Sequence, residues 1–188
     1  MTPRHLVVAI NPRASFGKNE AAGGQVAELL REAGHEVVAL QEESYLALET
    51  SVRRALTAGS VLVVVGGDGM VHLGVALARE KSVPLGVIPA GTGNDFARHL
   101  GIPLRPIAGG VDHFLSALTR DPVAIDLGVA RNSSGEAYPF ACVFSAGFDA
   151  LVNERANRLR FPKGRHRYTL ALVIELAKLR PICYTLTM

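Results

Sequence analysis

Apolar and polar positions along this chain fall into two alternating patterns. Short, almost continuously apolar runs occur at residues 6–10 (Leu-Val-Val-Ala-Ile), 36–40 (Glu-Val-Val-Ala-Leu), 61–65 (Val-Leu-Val-Val-Val) and 84–88 (Pro-Leu-Gly-Val-Ile). Between them lie longer stretches of helical character, at residues 18–33, 44–58 and 70–80. Gly34 and Gly59 are placed to end the first two, since a helix commonly stops on a residue that tolerates a left-handed backbone. Ser44 is placed to cap the start of the second. Strands apolar on both faces belong in a parallel sheet covered by helices on both sides. The alternation therefore predicts an open, doubly wound α/β layer.

The pattern changes near Asp121-Pro122. Residues 123–130 and 137–145 read as strands on either side of the turn signal Asn132-Ser-Ser-Gly135, which makes them a hairpin. Residues 149–159 and 165–179 read as helices and 182–188 as a further strand. A division follows: an α/β domain over 1–122, then the N-terminal part of a β-rich domain over 123–188, incomplete at Met188.

Composition narrows the class. Of 188 residues, 48% are apolar and 20% charged, as in an ordinary globular protein with a sizeable core. A net charge of +3 is too small to imply nucleic acid. The charge is uneven, however. Residues 153–168 hold Arg155, Arg158, Arg160, Lys163, Arg165 and Arg167 against Glu154 alone. Cations mixed with Leu159, Phe161 and Pro162 suit an anionic membrane surface, and they suit a solvated loop equally well. Cys142 and Cys183 form neither a disulfide framework nor a metal site, and read as core filling. The histidines show no ligand spacing. No run approaches the roughly 20 apolar residues that span a bilayer, and the N-terminus leads straight into a strand instead of a signal peptide. Cytoplasm is the default compartment.

Three loops follow predicted strands, where open α/β sheets collect ligands. The first is Asn11-Pro-Arg-Ala-Ser-Phe-Gly-Lys18, ending at a helix N-terminus that favours an anion. The second is Gly66-Gly67-Asp68-Gly69, whose glycines let backbone amides approach a ligand. An aspartate there has to serve a metal, orient a hydroxyl, be held by amides, or simply cap a helix. The third is Pro89-Ala-Gly91-Thr92-Gly93-Asn94-Asp95-Phe-Ala-Arg98. Thr92 can meet a phosphate; Asn94 or Asp95 can order the loop, hold magnesium, or cap the next helix. Neither a Walker P-loop nor a Rossmann fingerprint occurs at these turns.

Asn11-Pro12, Gly66-Gly-Asp-Gly69 and Gly91-Thr-Gly-Asn-Asp-Phe-Ala-Arg98 resemble the diacylglycerol kinase catalytic domain, in its bacterial soluble lipid kinase branch. Asp126-Leu-Gly128 and Ser145-Ala-Gly-Phe-Asp-Ala150 resemble later landmarks of that family. The resemblance implies a nucleotide-binding α/β domain followed by a β-sandwich. It implies transfer of the ATP γ-phosphoryl group to a lipid hydroxyl, with magnesium. Carried over by position, Asn11, Pro12, Arg13, Ala14, Ser15, Gly66, Gly67, Asp68, Gly69, Met70, Val71, His72 and Thr92 line the nucleotide. Asp68 belongs to a catalytic polar network, while the family's general base lies in an Asp-Gly-Glu segment expected beyond Met188.

Met70 departs from the family, which usually has threonine there. A thioether is a poor hydrogen-bond partner, which weighs against the usual phosphate geometry. An NAD kinase-like enzyme shares the Gly-Gly-Asp-Gly loop and is the nearest rival. A non-catalytic nucleotide- or lipid-binding module is the rival of another class. The acceptor stays open among diacylglycerol, phosphatidylglycerol, a sphingoid base and an undecaprenol-like alcohol, as do the oligomeric state and the metal ligands.

Overall fold

The computed structural model describes residues 2–11, 20–159, 161–162, 165–179 and 181, without the side chains of residues 20, 21 and 165. Residues 1–142 and 143–188 form two compact units.

The first unit opens with strand β1 (His5–Ile10), helix α1 (Glu20–Glu32), β2 (Glu36–Gln41), α2 (Tyr45–Ala55), β3 (Val61–Gly66), α3 (Asp68–Lys81) and β4 (Leu85–Pro89). The four strands form one parallel sheet in the order β2-β1-β3-β4. Side chains alternate between its faces, as a period of two requires. Val7, Ala9, Leu62 and Val64 pack with Leu48 and Val52 of α2 and with α3. Leu6, Val8, Ile10, Val61, Val63 and Val65 pack on the other face with Val26 and Leu30 of α1. Both faces are covered, which is why β1 and β3 are apolar throughout. The chain leaves β1 toward β2 and leaves β3 toward β4, so the strand order reverses between β1 and β3. Their carboxyl ends border the crevice where such sheets bind ligands.

Local signals explain the element ends. Ser44 Oγ accepts the Ala47 N–H at 3.1 Å and caps α2. Gly34 and Gly59 take φ of 87° and 86°. The second helix ends at Ala55, short of residue 58, because Ser60 draws the chain into a turn by accepting the Thr57 N–H at 3.0 Å. Two short helices follow β4: α4 (Asp95–His99) and α5 (Ile107–Ala117). Helix α5 has no clear signal in the sequence, since Pro103, Pro106, Gly109 and Gly110 break its pattern. Packing decides it instead: Val111 and Phe114 are buried against the α1 face of the sheet, and the Phe114 ring occupies the space over Gly86.

The hairpin is present as β5 (Gly128–Arg131) and β6 (Ala137–Phe140), paired antiparallel. Both strands are shorter than the patterns at 123–130 and 137–145. Val123 and Ile125 are exposed and have no strand partner among the described residues. The turn is closed by Asn132, whose Oδ1 accepts from the Ser134 and Glu136 N–H groups. Cys142 is exposed rather than core filling, because β6 ends before reaching it.

The second unit contains α6 (Phe148–Arg158) and α7 (Arg165–Ala177). Val152, Ala156 and Ala171 are its buried centre. Two polar ties join the helices. The Tyr168 hydroxyl donates to Asp149 at 2.8 Å, and Arg155 pairs with Glu175. The Ser145 and Tyr168 hydroxyls hold the Asp149 carboxyl below its usual pKa, and that carboxylate raises Tyr168. The strand expected at 182–188, with Cys183, lies outside the described residues.

Candidate functional site

The site is built from backbone before side chains. β3 ends at Gly66, and the Gly66 carbonyl accepts the Ala90 N–H at 2.8 Å, which brings the loops after β3 and β4 together. Gly67 is the N-cap of α3 and has extended backbone. Its carbonyl accepts from the Met70 and Val71 N–H groups at 2.9 and 3.2 Å. Asp68 is therefore the first helical residue instead of the cap. The N–H groups of Asp68 and Gly69 belong to the first turn, where no intrahelical acceptor exists and the helix dipole is positive.

The two glycine loops touch backbone to backbone. A methyl group on Gly91 would lie 2.3 Å from the Gly67 Cα. Only glycine permits that approach, because a side chain there meets main chain that cannot swing away. The crossing is clasped by Asn94, whose side chain is buried and whose φ is 56°. Asn94 Oδ1 accepts the Gly91 N–H at 2.9 Å, and its Nδ2 donates to the Gly91 carbonyl at 3.0 Å. The amide is therefore spent on its own loop. Asp95 does not cap α4: that acceptor comes from Asp68, whose Oδ1 takes the Phe96 N–H at 3.2 Å. Arg98 Nε donates to the Gly93 carbonyl at 2.9 Å. A methyl group on Gly93 would lie 2.9 Å from Asp68 Oδ2 and 3.7 Å from Asp95 Oδ2, so both carboxylates border this glycine.

The residues singled out in the sequence divide accordingly. Asp68, Gly69, His72, Thr92 and Asp95 are exposed around the loops. Asn11 stands beside Gly66 and donates its N–H to the Val65 carbonyl at 3.3 Å. Pro12, Arg13, Ala14 and Ser15 lie outside the described residues. Met70 and Val71 are buried in the sheet–helix core. The Met70 Cγ fills the space over Gly66, so its thioether faces the core and not the open side of the loop. The reason is helical: position 70 falls on the inner face of α3, with Leu73, Gly74 and Leu77. Sequence reasoning did not find the Asp68–Phe96 tie, for the partners are 28 residues apart and no local pattern links them.

Gly69 has a different status from its neighbours. A methyl group there would meet nothing within 4 Å, and its φ is not in the left-handed region. Neither packing nor backbone conformation requires a glycine at this place. A ligand approaching the first turn of α3 would require one. Two carboxylates beside an anion-favouring helix terminus also match magnesium, which binds through one or two carboxylates together with phosphate oxygens and water. Among the described residues, no cluster of three His, Cys, Asp or Glu side chains forms a metal cage.

The basic segment is partly neutralised. Arg155 pairs with Glu175 and Arg158 with Glu154, and Arg167 Nε donates to the Pro162 carbonyl at 3.2 Å. Arg160, Lys163 and the Arg165 side chain lie outside the described residues. No helix among the described residues is long and apolar enough to cross a membrane.

A parallel sheet with paired glycine loops at the carboxyl ends of β3 and β4 defines a doubly wound α/β class, and comparison with known proteins gives the family. Residues 5–130 match the diacylglycerol kinase catalytic domain, and residues 142–188 match the YegS C-terminal NAD kinase beta sandwich-like domain. The chain belongs to the diacylglycerol kinase catalytic domain family. It is 35% identical to a diacylglycerol kinase of Mycobacterium tuberculosis over 179 residues, covering 95% of this chain and 57% of that protein. It is 29% identical to a diacylglycerol kinase of Bacillus subtilis over 164 residues, covering 84% and 50%. A crystal structure of a Bacillus anthracis str. Sterne protein assigned as a diacylglycerol kinase shares the fold. Its TM-score is 0.52 at 24% identity, over 62% of this chain and 43% of that one. The chain thus spans about half the length of the curated relatives it matches.

Proposed function

We propose that this chain carries the nucleotide-binding part of an ATP-dependent lipid kinase, which transfers the γ-phosphoryl group of ATP to a lipid hydroxyl of the diacylglycerol type. The observation that carries this reading is the crossing of Gly67 over Gly91 beside an open Gly69 at the start of α3. The first turn of α3, with its positive dipole end, then borders an open space in which a methyl group added to Gly69 would meet nothing within 4 Å. A triphosphate suits that space by charge and by the need for close backbone approach. Asn11, Gly66, Gly67, Gly69 and Thr92 line it in this reading. Met70 and Val71 contribute core support, and His72 stands on the exposed side of the helix.

Asp68 and Asp95 are the residues that would hold magnesium, whose chemistry is to neutralise phosphate charge. Phosphoryl transfer depends mainly on positioning and charge stabilisation. Asp68 contributes to positioning in a second way, by tying α4 to the loop after β3. The functional division is placed between residues 122 and 123, where strand–helix alternation gives way to the hairpin. The acceptor domain begins there and takes the family's β-sandwich form. The cations from Arg155 to Arg167 favour contact with an anionic membrane from the cytoplasmic side. Membership of a lipid kinase family supports the acceptor class and leaves the particular lipid to experiment.

The test is incubation of the chain with magnesium, γ-labelled ATP, a panel of lipid vesicles and NAD, with Asp68→Ala as control. Label in the organic phase that disappears in the control is the expected result. Label in NADP moves the protein to the NAD kinase class. ATP binding with no transfer to any acceptor makes this chain a binding module.

A further inference from the structure

The loop after β4 is fastened to the loop after β3 at two points. One is the crossing of Gly91 over Gly67, where a methyl group on Gly91 would lie 2.3 Å from the Gly67 Cα. The other is the Phe96 N–H, which donates to Asp68 Oδ1 at 3.2 Å. Residues 92–95 bridge these points, and Asn94 makes the bend between them. Its φ of 56° is left-handed, a conformation that asparagine tolerates better than most side chains. Among the described residues, Ser82, with φ of 53°, is the other non-glycine residue in that region.

The Asn94 side chain fixes the bend as well. It is 7% exposed, and both ends of its amide turn back on Gly91, with Oδ1 accepting the N–H and Nδ2 donating to the carbonyl. The N–H belongs to the peptide before Gly91 and the carbonyl to the peptide after it, so the clasp holds two successive peptide planes. Further on, Arg98 Nε holds the Gly93 carbonyl at 2.9 Å. Thr92 and Gly93 are exposed between these ties. A methyl group on Gly93 would lie 2.9 Å from Asp68 Oδ2 and 3.7 Å from Asp95 Oδ2.

The consequence concerns spacing. Asp68 and Asp95 stand on different loops, so their separation depends on how the loop after β4 is held. Magnesium demands near-ideal octahedral geometry, and a loosely held carboxylate serves it poorly.

We infer that Asn94 is a positioning residue for a metal-bound triphosphate. It touches neither metal nor phosphate; by clasping Gly91 it holds Thr92 and Asp95 in a fixed place against Asp68. The inference rests on the nucleotide-binding reading above and adds a residue that this reading leaves out.

The test reads binding instead of turnover. ATP affinity of the chain is measured by calorimetric titration with and without magnesium, and the gain on adding magnesium is compared among variants. Asn94→Gly keeps the left-handed backbone and removes the clasp. It should remain folded by circular dichroism and urea unfolding. Its magnesium-dependent gain should fall by roughly tenfold or more, the loss typical when groups supporting metal ligands are removed. Asn94→Asp is isosteric and keeps an acceptor for the Gly91 N–H, but sets a carboxylate oxygen against the Gly91 carbonyl. It should lose part of the gain too. Ser82→Gly makes the same backbone change at the far end of α3 and should leave the gain unaltered. An unaltered gain in folded Asn94→Gly overturns the inference. Where Asn94→Gly does not fold, an unaltered gain in Asn94→Asp overturns it. A larger gain in Asn94→Asp also overturns it and places position 94 on the metal. Unfolding of both variants overturns it and makes the asparagine a structural residue only. The nucleotide reading fails separately, through absence of Mg-ATP binding in the unaltered chain, and that result removes this inference with it.

Discussion

Glycines in the two loops are chemically identical and physically distinct. Gly91 is required by the fold, because a methyl group there lies 2.3 Å from the Gly67 Cα. Gly66 is constrained more softly, since its added methyl would meet the flexible Met70 side chain. Gly69 is free of both limits. Gly69→Ala is therefore expected to keep or slightly raise stability, by up to about 1 kcal/mol for a glycine replaced in a helix. ATP affinity should fall in the same variant. Gly91→Ala is expected to lower stability and ATP affinity together, as the clasped loops part. Urea denaturation and calorimetric titration with Mg-ATP on both variants check the pair. Unchanged ATP affinity in Gly69→Ala would remove the open first turn of α3 from the binding site.

Elements in the sheet layer are ended by side chains acting locally, and their costs can be stated one at a time. Ser44 supplies the side-chain acceptor at the start of α2, and Leu48 and Val52 of that helix hold one face of the sheet.

 Val52 is fully buried there, so loosening the first turn of α2 also loosens its packing. Ser44→Ala is expected to cost about 1 kcal/mol, the usual cost of a lost N-cap. Its measure is the shift in the urea midpoint at unchanged slope, and a shift of zero would show that the Ala47 N–H is satisfied equally well by water. Helix α4 is the contrasting case. Its N-terminal acceptor is Asp68, from another loop, so its start depends on the approach of β3 to β4 and not on its own sequence.

At the scale of the whole molecule, stability should depend on pH through His35. Its ring is buried, with Nδ1 accepting the Arg4 N–H at 3.1 Å and Nε2 without a partner among the described residues. That acceptor role requires the neutral ring. Burial, then nearby positive charge including Arg4, pushes the pKa below its ordinary 6.5. A histidine held neutral contributes stability that is fully present above the unfolded value of 6.5. The contribution is lost as pH falls from there through the folded-state pKa. The unfolding free energy should thus decline as the solution is acidified below 6.5. His35→Asn, which keeps an acceptor near Nδ1, should flatten that part of the curve; equal slopes in both proteins would discharge His35 from the role. The same contrast between local and distant partners decides what could be read in advance. The four strands, the glycine end at Gly34 and the Ser44 cap were legible, because apolar runs and caps act within a few residues of chain; Gly59 was not the end of α2, which stops at Ala55. So were the two glycine loops and the family they resemble. Helix α5 was not legible, because its breakers mask a helix that only burial of Val111 and Phe114 stabilises. The exposure of Cys142 and the inward turn of Met70 were not legible either, for strand length and helix phase set them. Sequence alone determined the four sheet strands and the helices α1, α2 and α3 between them, and which loops carry glycine for close approach, since those follow from local sterics and periodicity. Tertiary structure alone decided that Gly67 crosses Gly91, that Asp68 caps α4 and that Gly69 is left open, because each depends on parallel strands bringing distant loops to one edge of the sheet.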